Sequence, residues 1–318
     1  MEYITFYGTL NSIVQEEYYK DGILKECLLE EENILHTNVG NLIPKYLYSD
    51  VRSKYRNSLS FYPSGKIKSI YLENTTVIMT PIGEIQAEML TFYEDGSIHR
   101  IFPLYGQVSG YWSEEEEMKK IQPIGKKING ILFKAKIMTY CFYPSGVVKS
   151  LTFFGDREIE VITPVGKMKI RIGISFYENR KISSVEPYEE TMVETSIGKI
   201  NAYDNAPIGV HGDENSLKFT EDGEIKSIKT IMTGLDIESK KNSRIKILPQ
   251  KRRSFFDIEK FEMVPIEITF SKEKLEVKDS DGVLYKYVLP ENHVKAIPNI
   301  LYKTFAGCTD CASCKSCS

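Results

Sequence analysis

The stretch "FYPSGKIKSI", from Phe61 to Ile70, returns eighty-one residues later as "FYPSGVVKSL" from Phe142. Self-similarity of this kind constrains the chain more than any other feature, because internal periodicity is the mark of a repeat architecture. "FYEDGSIHRI", with Gly96, Ile98 and Ile101, and "FTEDGEIKSI", with Gly223, Ile225 and Ile228, are further copies. Two degenerate ones follow the same plan: "YYKDGILKEC" with Gly22, Leu24 and Cys27, and "FYENRKISSV", which places Arg180 where the others have glycine. A second phrase lies between them, "TNVGNL" at Thr37, "TPIGEI" at Thr80, "TPVGKM" at Thr163 and "TSIGKI" at Thr195, with a looser "QPIGKKI" at Gln122.

Both phrases carry the chemistry of a hairpin turn. In "YPSG" the proline fixes φ near −65° for a type I turn, and the glycine takes the left-handed conformation that leads into the next strand as a glycine bulge. "TPIG" offers the same chemistry. Apolar residues two and five places after the glycine face opposite sides of a regular strand, so either the strand is bulged or both its faces are covered. At the copy with Arg180, Asn179 is expected to take the left-handed role. Between Gly65 and Gly83 the polar "ENTT" divides the segment into strands near 66–72 and 76–80, with a third near 84–93, or about three short strands per unit. Short loops force antiparallel neighbours. The expected fold is mostly β: an antiparallel hairpin-repeat meander or twisted sheet with a small C-terminal β region, each unit burying its apolar residues only against its neighbours.

From Tyr18 to Thr230 these features resemble the MORN-like hairpin repeats of many bacterial proteins, including a group assigned as antitoxin components of toxin–antitoxin systems. The aromatic, turn and Gly-x-Ile features are shared, whereas the second "G-x-W" or "G-x-G" core of eukaryotic MORN repeats is missing. The resemblance implies a protein-binding or scaffolding surface with scope for lipid contact, and brings no catalytic residue.

Two segments interrupt the array. "SGYWSEEEEMKKIQ" (109–122) holds the only tryptophan and reads as a solvated loop or a short helix capped by Ser113 with Glu116; its sharper reading makes Trp112 and four glutamates a recognition loop for a basic partner. "DNAPIGVHGDENS" (204–216) is rich in turn formers, and His211 beside Asp213 and Glu214 suggests at most a lone metal ligand set within a polar loop.

After Thr230 the phrase stops, and the repeat domain is read as 1–234. The basic run 240–253 reads as part of a linker (235–254), and Lys251, Arg252 and Arg253 are its candidates for contact with anionic lipid or phosphate. Residues 255–305 read as a small β domain. The last thirteen residues (306–318) form a cysteine-rich tail, in which Cys308, Cys311, Cys314 and Cys317 stand three apart, a spacing from which thiolates converge on one soft metal centre. The first three resemble the cluster-binding run of bacterial ferredoxins, but the fourth follows too soon and the usual proline is missing. A [4Fe-4S] cluster, zinc, a crosslinked tail and free thiols all stay open. Cys27 and Cys141 fall at strand positions and read as small core residues.

With 41 basic and 44 acidic residues the formal net charge is −3, so no global field favours nucleic acid. Neither a secretory leader nor a long apolar run is present, which makes a soluble cytoplasmic protein the expectation. His36, His99, His211 and His293 lie in unrelated contexts, and nearly every glycine already has a turn to make. The expected function is therefore non-enzymatic: a binding or scaffold protein whose sheet presents exposed Tyr, Lys and Glu rows to a protein partner. The alternative is an iron–sulfur or zinc protein whose tail carries the activity while the repeats dock it.

Overall fold

The structure is a computed structural model that describes residues 2–48, 51–52, 57–104, 111–154, 158–205, 213–240, 243–253 and 261–300. The fold is mostly β, built from antiparallel hairpins, with one short α-helix among the described residues. The chain divides into two compact units. The first comprises Met1–Ile159, Ser175–Lys181 and Val210–Asp213, and the second Glu160–Ile174, Ile182–Gly209 and Glu214–Ser318.

In the first unit the main sheet runs from Ile13–Tyr18 through Leu24–Leu29, Leu59–Phe61, Ile67–Thr80, Gly83–Phe92, Ile98–Phe102 and Ile137–Phe142 to Val148–Phe153. Each FY phrase closes one hairpin in the same way. At Tyr62 the amide donates to Lys66 O at 2.8 Å and the Gly65 amide to Tyr62 O at 2.8 Å. Tyr19, Tyr93 and Tyr143 repeat this pair of bonds, as expected for a three-residue loop ending in a left-handed residue.

The strand leaving each turn is bulged, which resolves the odd apolar spacing. Phe61 pairs with Ile67 and Ser60 with Ser69, so Lys68 is the extra residue. Lys25, His99 and Lys149 occupy the same place in their hairpins. The bulge brings Ile67 and Ile70, or Val148 and Leu151, onto the same buried side. It also lays the extra side chain over the turn tyrosine: Lys68 Nζ is 5.7 Å from the Tyr62 ring, Lys149 Nζ is 5.8 Å from that of Tyr143, and the His99 and Tyr93 rings are 4.5 Å apart.

Each turn tyrosine is bonded to the next hairpin. Tyr19 Oη donates to Phe61 O at 2.9 Å, Tyr62 Oη to Phe92 O at 2.8 Å, Tyr93 Oη to Phe142 O at 2.9 Å and Tyr143 Oη to Phe176 O at 2.9 Å. These tyrosines are half-buried rungs of a ladder and not the exposed row expected from the sequence. Burial raises the pKa of the Tyr62 and Tyr143 hydroxyls and pushes that of Tyr93 up to about 12, so the hydroxyl protons stay in place as donors.

The second phrase builds two-stranded ribbons. Thr80 pairs with Gly83, and the Thr80 hydroxyl donates to Gly83 O at 2.6 Å while accepting from the Ile82 amide. Thr37 makes the same bridge, and so does Thr5 in "TFYG", a copy the sequence reading passed over. Conversely, "QPIGKKI" is not a turn. Gly125 lies inside a strand opposite Lys134, and the chain reverses at Asn129 and Gly130, both with positive φ. The "ENTT" segment does not separate two strands either: Ile67–Thr80 is one strand with a register shift between Tyr71 and Thr76.

The two phrases are the halves of one joint. A methyl group built on Gly65 would lie 3.2 Å from the Phe6 ring of the Thr5 ribbon, and one on Gly146 would lie 2.8 Å from Pro81 Cγ of the Thr80 ribbon. At Gly96 the ribbon residue Asn38 donates to the glycine carbonyl at 3.0 Å.

In the second unit, described by itself, Ile182–Pro187, Leu217–Phe219, Ile225–Thr230, Ile266–Phe270, Lys274–Lys278 and Leu284–Val288 pair in sequence order. Pro164 of the Thr163 ribbon approaches Gly223 as Pro81 approaches Gly146. Within 235–254, read as a linker, the described residues hold three strands, the greater part of Thr233–Ser239 together with Arg244–Ile247 and Gln250–Arg253. Thr233–Ser239 pairs with Arg244–Ile247 and with Asn292–Pro298, because Leu235, Ile237 and Ile247 alternate into the core. Composition registered the lysines and missed that period.

Gly146 needs both a positive φ and close approach, whereas Gly22 has a positive φ with nothing within 4 Å of an added methyl. Gly146→Ala is therefore expected to cost about 2–3 kcal/mol in urea unfolding and Gly22→Ala about 1 kcal/mol. Equal costs would remove the ribbon joint as a source of stability.

Candidate functional site

Antiparallel register sorts the first sheet into two files. Cys27, Leu59, Ile70, Leu90, Ile101, Tyr140 and Leu151 are successive cross-strand partners and are all buried. Next to them, on the other face, run Glu17, Glu26, Ser60, Ser69, Thr91, Arg100, Cys141 and Ser150. The second file turns from the exposed Glu17 and half-buried Glu26 to the buried Arg100 and Ser150 as it crosses the sheet. At its buried end Asp213 bonds both Arg100 and the Ser150 hydroxyl. Burial works to raise the Asp213 carboxyl, but the Ser150 and Arg100 bonds outweigh it and hold the group below the usual range. Asp213 is thus a partner for a buried arginine, whereas the sequence reading set it in a polar loop with His211, which lies outside the described residues.

A second buried ion cluster explains the tryptophan. Arg52 bonds Glu117 through Nε at 2.9 Å and Glu88 through Nη2 at 2.6 Å, and the Trp112 indole donates to Glu117 at 2.8 Å. Ser113 and Glu116 form the capping box of the helix Glu114–Lys120. Glu116 and Glu117 are therefore engaged within the unit, and Trp112 is half-buried.

Surface features follow the ribbons. The residue before the ribbon threonine is Ile4, 82% exposed, or Met79, 67% exposed, in the first unit, and Ile162, 80% exposed, in the second. At the two remaining ribbons of this type the position holds His36 and Glu194. Phe6 and Val77 add exposed apolar area in the first unit. Sequence reasoning missed this recurrence because it read the phrases for turns and not for the residues flanking them.

A groove of about 570 Å³ opens in the first unit where the joint pattern fails. Its walls include Pro81, Ile82, Lys127, Asn129, Gly130, the turn at Gly146 and Arg180. Here the ribbon tip is Asn129–Gly130 and the turn that would receive it carries Arg180. Arg180 itself adopts the left-handed conformation, with φ 68°, correcting the expectation for Asn179. The turn fixes which position is left-handed, since the Arg180 amide bonds Tyr177 O; Asn179 instead accepts from the Lys181 amide at 3.0 Å.

The basic candidates Lys251, Arg252 and Arg253 lie on the exposed strand Gln250–Arg253, paired with Phe261–Val264. Lys251 Nζ sits 4.3 Å from the Phe261 ring centroid and Arg252 bonds Glu262 at 2.9 Å. Cys27 and Cys141 are fully buried, and burial pushes the Cys27 thiol up to about 12. Cys308, Cys311, Cys314 and Cys317 lie outside the described residues, among which no group of three or more His, Cys, Asp or Glu side chains forms a metal site. No described helix is long and apolar enough to cross a membrane.

No family model, curated protein or solved structure matches the chain.

In the second unit Glu186 is 1% exposed and accepts from the Ser216 amide at 2.8 Å and hydroxyl at 2.9 Å. Burial dominates and raises its carboxyl to about 7, against the Ser216 bonds. A folded-state value above the unfolded one means stability is fully present below about pH 4.3 and falls until the pH passes about 7. Glu186→Gln is expected to flatten this fall and to stabilise the protein by about 3–4 kcal/mol at pH 8 relative to its effect at pH 4. Chemical unfolding across that range checks it, and a wild-type profile without the decline contradicts it.

Proposed function

We propose that the chain is a MORN-like hairpin-repeat protein that binds or scaffolds a protein partner. The observation that supports this reading is the recurrence of large, solvent-facing apolar side chains at one ribbon position, Ile4 and Met79 in the first unit and Ile162 in the second. Scattered exposed apolar residues are ordinary, whereas an apolar side chain at the same position of three of the five ribbons of this type points to ribbons built for contact. The fold suits this use, because the ladder and joints hold each ribbon without engaging its outer side chains.

Within this reading the exposed strand Gln250–Arg253 is the place for an anionic lipid or phosphate contact, and the four tail thiols are a metal-binding element for zinc or a [4Fe-4S] cluster that the docked partner brings into use. Partner recognition belongs to the repeats and not to the tail.

Affinity capture from an extract of the source cells, followed by binding assays on the purified partner, tests the reading. Met79→Glu places a charge in the contact and is expected to weaken partner binding by about tenfold or more, at unchanged thermal stability. Removal of residues 306–318 is expected to leave it intact. A partner held equally well by Met79→Glu, or lost with the tail, would overturn the reading.

A further inference from the structure

We propose that the groove at the failed joint is a seat for an acidic peptide segment of the partner, an inference that rests on the binding reading above. Elsewhere in the first unit the joint is closed: Phe6 covers Gly65, Asn38 covers Gly96 and Pro81 covers Gly146. The tip at Asn129–Gly130 instead donates from Asn129 Nδ2 to Val148 O at 2.9 Å, and Arg180, at the turn position held by glycine in the full copies, lines with it a groove of about 570 Å³. Two cations line it, Arg180 on the turn and Lys127 on the ribbon, both exposed and neither in an ion pair among the described residues.

No acidic side chain is among the residues that line the groove. Two of the four lining segments carry a cation, and Pro81, Ile82, Val147 and Val148 from the other two add apolar surface. Such a lining fits an extended chain whose carboxylates meet Arg180 and Lys127 while its apolar side chains rest on the floor. It suits a compact oxyanion less well, since that would need donors converging on one point. Arg180 keeps a side chain in a left-handed turn position at a cost of about 1 kcal/mol, the kind of local strain that accompanies functional positions.

Fluorescence anisotropy of the full-length protein with a fluorescein-labelled hexapeptide of alternating glutamate and valine tests this directly. Saturable binding is expected, weakening as salt is added. Arg180→Gly restores the residue found in the full copies and keeps the fold, so its expected loss of about tenfold or more in peptide affinity reads the missing guanidinium. Lys127→Ala is expected to weaken binding as well, and a peptide with glutamine in place of glutamate to bind poorly. Absence of saturable binding, equal binding by both variants, or displacement of the peptide by inorganic phosphate at constant ionic strength would overturn the proposal, the last by assigning the groove to a compact oxyanion. Wild-type protein that ignores the peptide yet captures its partner through Met79 overturns this inference and leaves the binding reading standing.

Discussion

A hairpin of two short strands is marginal in water, and what makes a row of them stable is the bond each makes to the next. In this protein that bond is specific: the hydroxyl of the tyrosine opening one turn donates to the carbonyl of the phenylalanine opening the next, from Tyr19 to Phe61, Tyr62 to Phe92, Tyr93 to Phe142 and Tyr143 to Phe176. The bond lies at the turn end of each strand pair, where regular ladder pairing stops and a carbonyl would otherwise need water or another donor. Ring, bulge and hydroxyl act together. The bulged Lys68 or Lys149 shields the tyrosine face, and the bulge turns two apolar residues to the core.

Against this frame the ribbons work as clips. The tips of the Thr5, Thr37, Thr80 and Thr163 ribbons reach over the glycine of a later hairpin, so that glycine serves a backbone conformation and a close approach together, most tightly at Gly146 under Pro81. Where one joint lacks both its threonine tip and its glycine, the frame leaves a cation-lined groove. A departure from the repeat thus becomes a distinct place on an otherwise regular surface.

Much of the frame was legible in the residues. The glycine, the proline or acidic residue before it and the apolar pair after it specify turn and bulge through local chemistry alone, and local chemistry repeats visibly. The ladder was not legible, because nothing in "FY" says that the tyrosine hydroxyl reaches another hairpin; only the register of neighbouring strands brings it there. The same holds for Arg180: composition marks it as a misfit, while the turn's hydrogen bonds decide that Arg180 and not Asn179 is left-handed. Asp213 was singled out beside His211, yet its bond to Arg100 spans more than a hundred residues and depends on the fold. The Cys308 to Cys317 spacing is the plainest chemical signal in the chain, and it falls outside the described residues.

Native-state hydrogen exchange on Tyr93→Phe tests the ladder most directly. Loss of one hydroxyl is expected to lower global stability by about 1 kcal/mol. It is also expected to speed exchange of the Tyr143 and Gly146 amides in the following turn along with those of the variant's own turn. Unchanged stability, or faster exchange confined to the turn at Tyr93, would contradict the claim that these tyrosines carry stability from one hairpin to the next.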